Sequence, residues 1–142
     1  MLSSLVGLGP ESAAGEAPAL VNASNIRFSQ SSVNGVGKIV ESMAKNGWVG
    51  EPVTVVRMSD GKLTTIDNTR VLAAALTNTK VQANIVDAAK AISESQASRF
   101  VARNGELPSS WGEALSNRIQ SQSSAFKNAN PNGSPITGIS TW

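Results

Sequence analysis

The sequence predicts a small α+β domain. Two β-branched stretches, "EPVTVVRM" at 51–58 and "KVQANIV" at 80–86, flank a tight-turn signal and an Ala-rich helical run. Upstream of them, "GKIVESMAKNG" carries apolar residues at helical spacing. The 142 residues suit one domain that buries about two-thirds of its unfolded surface.

Residues 1–24 are rich in Ala, Gly, Ser and Pro without a sustained period, which reads as a linker or lead-in to a domain at 25–142. "NIRFSQ" (25–30) is a short strand. A helix follows, with Ile39, Val40 and Met43 on one stripe and Gly47 at its stop. The strand at 51–58 turns at Asp60-Gly61 into "LTTI". Asp67 can then cap a helix through "TRVLAAAL", and the next strand sets Val81, Ala83 and Ile85 against Gln82 and Asn84. The order is β-α-β-β-α-β.

The second half is expected to be helical. "DAAKAISESQASRFVARNG" reads as one helix or two, closed by Gly105. Ser110 and Glu113 have capping-box spacing ahead of a stripe of Trp111, Leu115 and Ile119. The end, "KNANPNGSPITGISTW", is turn-rich and reads as irregular.

Composition removes whole classes of chemistry. The chain has neither cysteine nor histidine. Thiolate catalysis, disulfides, Cys/His zinc sites, a Ser-His-Asp triad and a two-histidine ribonuclease are therefore excluded. The net charge of +2 comes from scattered residues without a like-charge run. No stretch approaches the ~20 apolar residues of a membrane span, and "MLSSLVGLGP" lacks the basic region of a signal peptide. A domain without membrane insertion is expected.

The most informative stretch is "TTIDNTRVLAAA" (64–75), with Asp67, Asn68, Thr69 and Arg70 at a strand-to-helix junction. One reading is structural: Asp67 caps the helix and Arg70 forms a surface ion pair. The other is an anion site, since a helix N-terminus gathers unpaired amides and an arginine adds a two-pronged phosphate donor. "GVGK" (35–38) lacks the first glycine, the following Ser/Thr and the preceding strand of a P-loop, and reads as helix entry. Trp48 and Trp111 read as core.

From the helix ending at Gly47, through Pro52–Arg57, Asp60-Gly61, Asp67–Arg70 and Val71–Leu76, to Val81–Val86, the order resembles the ParB/sulfiredoxin-like superfamily. The likeness covers roughly residues 26–87. Arg70 stands at the shared final arginine of the box. Asn68 and Thr69 replace the cysteine and histidine of sulfiredoxins, so their chemistry is not expected. "DNTR" followed by Val-Leu-Ala-Ala is similar to the Asp-Asn-Arg-Arg-Leu boxes of C-terminal effector domains in bacterial polymorphic toxins of the contact-dependent inhibition and Rhs types. That resemblance implies a small mixed sheet with packed helices and a helical C-terminal half.

The resemblance also implies a function: a nuclease delivered from the cell surface or secreted within a larger toxin, acting on RNA, or on DNA, in the cytoplasm of a target bacterium. A cognate immunity protein would be its partner. In that role Asp67 is the candidate base and Arg70 the phosphate holder, with Asn68 and Thr69 orienting the phosphodiester. Ser29, Gln30, Lys38, Arg57 and Arg103 are candidate substrate contacts. No cofactor is expected, and metal independence is favoured over a metal held between Asp60 and Asp67. The alternatives are a nucleotide-binding or nucleotide-hydrolysing enzyme and a non-catalytic DNA-binding module.

Overall fold

A computed structural model describes residues 17–142. Its main element is a curled, mixed five-stranded sheet of order β1-β6-β4-β5-β2. The strands are β1 (Ala19–Val21), β2 (Ile26–Arg27), β4 (Val53–Arg57), β5 (Leu63–Thr65) and β6 (Val81–Asp87). β4 runs parallel to β6 and antiparallel to β5, which runs parallel to β2. The strand at 51–58, the hairpin and the strand at 80–86 thus form where the β-branched pattern places them. Val53, Val55 and Val56 are buried, as central strand positions require.

Two helices fill the crossovers. α1 (Val36–Asn46) ends at Gly47, whose amide donates to the Met43 carbonyl. α2 (Asn68–Thr77) is closed by Asn78 in the left-handed conformation. The two helices pack on each other, and Val36, Met43, Val71, Leu72, Ala73 and Ala74 enter the core. The alanines matter here because a small side chain lets the helices approach closely.

The lead-in boundary moves. β1 lies within the segment read as linker and pairs antiparallel with β6, Ala19 opposite Ala83 and Val21 opposite Val81. Three residues without periodicity carry too little pattern to be recognised. Because β1 reaches only to Ala83, Ile85 lies beyond its pairing and is 37% exposed, not buried with Val81 and Ala83.

The second half is less helical than its alanines suggest. The 87–105 stretch holds only α3 (Glu94–Ala97) and a 3₁₀ turn at Ser98–Phe100. Asp87 draws the Ala89 amide to its own side chain at 2.9 Å, which favours a turn over helix entry, and Ala91 bridges to Ser110. α4 (Trp111–Gln120) forms as its pattern demands, with Ser110 accepting the Glu113 amide and Trp111, Leu115 and Ile119 buried. The tail is more ordered than expected. It contains α5 (Ser124–Ala129) and β7 (Gly138–Thr141), which pairs parallel with β3 (Ser32–Asn34) in a second, two-stranded sheet. Every residue of β7 is exposed, so no alternation marked it.

Candidate functional site

The β5–α2 junction is built by local hydrogen bonding. The Thr65 hydroxyl accepts the Asp67 amide at 2.9 Å, bending the chain out of the strand. Asp67 is the N-cap, its Oδ1 accepting the Arg70 amide at 3.1 Å. Its Oδ2 accepts from Arg70 Nε at 2.7 Å. Arg70 reaches further: its Nη1 donates to the carbonyls of Val49 at 3.1 Å and Glu51 at 2.5 Å. The guanidinium lies over the Trp48 ring at 5.0 Å, a cation–π contact. The 48–51 loop is therefore pinned to the start of α2.

Gly50 is adapted to that clamp twice over. Its φ is +85°, and a Cβ there would stand 2.9 Å from Arg70 Nη1. Asn68 serves as a buried strut. Its Oδ1 accepts the Ser29 amide at 2.7 Å, and its Nδ2 donates to the Ser29 hydroxyl at 3.0 Å and to Gln30 Oε1 at 3.1 Å. Ser29 is fully buried and its hydroxyl donates to the Thr65 carbonyl at 2.8 Å. The 29–30 loop and the box do come together, with Ser29 fully buried and Asn68, only 2% exposed, spending its amide on these bonds at the edge of a cleft.

Above the junction opens a predominantly polar cleft of about 440 Å³. Asp67, Asn68, Thr69 and Arg70 line it with Gln30, and Gln96, Arg99 and Arg118 stand among its other lining residues. Arg118 ties α4 to the junction by donating from Nη1 to the Ile66 carbonyl at 2.6 Å. It also lies over the buried Phe100 ring at 4.5 Å, and Arg99 lies over the same ring at 5.4 Å. Burial lowers the Arg118 pKa below the usual arginine value, and the Arg99 charge lowers it further, against an opposing pull from Asp67.

Besides the buried Ser29, three other sequence candidates do not line this cleft. Lys38 is exposed on α1, in a shallow depression with Glu41 and Lys45. Arg57 closes β4 and donates to the Gly61 carbonyl at 3.1 Å, and Arg103 is exposed in the turn before Gly105. Conversely, Arg99 and Arg118 carry no sequence signal for this site, because only tertiary packing brings them to the box. Asp60 does not share a site with Asp67: Arg27 holds it through two bonds, at 2.7 and 2.9 Å. Among the described residues no group of three or more Asp or Glu side chains is placed to hold a metal ion.

The chain matches no family model, no curated protein and no solved structure. Any function therefore rests on the cleft itself and on the residues that resemble a known box.

Proposed function

We propose that the domain is the effector end of an antibacterial polymorphic toxin, with a ParB/sulfiredoxin-like core, and that it cleaves nucleic-acid phosphodiesters, RNA in preference to DNA. One observation carries the phosphodiester reading. Three arginines, Arg70, Arg99 and Arg118, line a polar cleft that contains a single carboxylate, Asp67. Such a cleft favours an anion, and the N-terminus of α2 beside it adds partial positive charge. The toxin reading comes from the likeness of "DNTR" and its flanks to effector boxes.

In this mechanism the positive charge of the cleft draws in the phosphodiester and stabilises the charge that grows on its oxygens. Thr69, half-buried at the cleft wall, orients a non-bridging oxygen. Asp67 is the base by elimination, since histidine is absent and no other carboxylate lines the cleft. The parent toxin would be secreted or surface-delivered and the domain would act in the target cytoplasm. A cognate immunity protein, acidic to suit a chain of pI about 9.3, would cover the cleft.

A nucleotide-hydrolysing enzyme is the second reading. It is favoured by the cleft volume, which falls within the ~300–1,000 Å³ typical of small-molecule sites. Induced expression in a bacterium, with total RNA and DNA run on gels, separates the two. Growth arrest with fragmented nucleic acid is the expected result. Arrest with intact RNA and DNA but a depleted nucleotide pool selects the second reading, and unimpaired growth removes the toxin.

A further inference from the structure

We propose that Arg99 and Arg118 are the phosphate-binding pair of the cleft, and that Arg70, the arginine of the box, is a clamp that shapes it. This rests on the phosphodiester reading above and divides the labour among its three arginines.

The partners of each guanidinium decide the matter. Arg70 is neutralised by Asp67, engaged through Nε and Nη1 with three oxygens, and stacked on Trp48. Among the described residues only its Nη2 is left without a partner, and its charge is already balanced by Asp67. Arg99 donates to the neutral amide oxygen of Gln96 at 2.8 Å, and Arg118 to the neutral carbonyl of Ile66. Among the described residues the salt bridges are Arg27–Asp60 and Arg70–Asp67, so neither Arg99 nor Arg118 has a carboxylate at ion-pair distance.

Two like charges thus converge on one ring, Phe100, without an acid between them. Their repulsion opposes folding, and the partial burial of Arg118 strengthens it by lowering the local dielectric. An oxyanion lying between the two forks removes that repulsion and gains charge-assisted hydrogen bonds from both. Thr69, in the first turn of α2, lines the same cleft. A nucleic-acid phosphate has the charge and the pair of free oxygens for such a seat.

The experiment titrates inorganic phosphate, against chloride at matched ionic strength, into the folded protein and three variants. Binding is read by thermal shift and by the arginine Nε–Hε resonances. The wild type should gain thermal stability with phosphate and shift the resonances of Arg99 and Arg118. Arg99→Gln should melt no lower than wild type without ligand, because a repulsive charge has gone, yet bind phosphate about ten- to a hundredfold more weakly. Arg118→Gln should lose binding at least as much. Arg70→Gln should melt lower while keeping the phosphate response.

A wild type that does not respond to phosphate overturns the pair, as does a response that survives Arg99→Gln but vanishes in Arg70→Gln. Cleavage of RNA or DNA is scored separately. A protein that cuts but shows no phosphate response leaves the nuclease reading standing without this pair. One that binds phosphate through Arg99 and cuts nothing leaves the pair standing without the nuclease.

Discussion

Asp67 holds Arg70 at two points, its Oδ1 on the backbone amide at 3.1 Å and its Oδ2 on side-chain Nε at 2.7 Å. One carboxylate thereby starts α2 and aims the guanidinium that pins the 48–51 loop. Arg70→Ala should then destabilise the fold by ~1–3 kcal/mol, since it releases a partly buried ion pair and the Val49 and Glu51 carbonyls. Asp67→Asn should cost about 1 kcal/mol or less, because asparagine caps almost as well and loses only the charge on the Nε bond. Urea denaturation of both variants checks the ranking. A more damaging change at Asp67 than at Arg70 would contradict the clamp.

Asn68 should be less tolerant than either neighbour. It is buried and makes three hydrogen bonds to the 29–30 loop. Asn68→Ala leaves the Ser29 amide without its acceptor, so a loss of ~1–3 kcal/mol is expected. Calorimetric melting would show it, and a melting point equal to wild type would mean the loop finds other partners.

Acid should expose the Arg27–Asp60 pair. The hydrogen bonds from the Arg27 side chain and the Lys62 amide hold the Asp60 pKa at about 2, below its ordinary 3.8. A depressed folded pKa stabilises the native state above the unfolded value and ceases to as pH falls through the folded one. The wild type should therefore lose more stability between pH 4 and 2 than Asp60→Asn does. The difference will be small because Asp60 is exposed and well solvated. Parallel slopes for the two proteins over that range would remove the pair from the acid response.

β1 sets the working boundary of the domain. A chain starting at residue 17 keeps the Ala19–Ala83 ladder, whereas one starting at residue 25 uncovers the edge of β6. The shorter chain should melt lower and aggregate more readily, as bare sheet edges do. Equal melting points and equal solubility would show that β1 adds nothing to the core.

What the sequence disclosed, and what it concealed, divides along local and non-local lines. The helix caps at Asp67 and Ser110, the Asp60-Gly61 turn and the β-branched run of β4 are all set within a few residues, and each appears where the pattern places it. Ser93 caps only a single turn, because the Ala91–Ser110 bridge and the Asp87 turn fix the chain around it. β7 pairs with a strand over a hundred residues away and has no buried face to betray it. The same limit hid half of the cleft. Arg118 meets the box through the Ile66 carbonyl, 52 residues distant in sequence, so the box was legible and its opposing wall was not.

The most direct test is a cleavage assay with purified protein and end-labelled RNA and DNA, comparing wild type with Arg118→Gln at matched fold by circular dichroism. Removing one preorganised charge donor from a phosphodiester site should slow cleavage roughly a hundred- to a thousandfold. RNA should be cut faster than DNA by the wild type. Wild-type rates in a folded Arg118→Gln protein, or no cleavage of either nucleic acid by the wild type, would contradict the assignment of this cleft to phosphodiester chemistry.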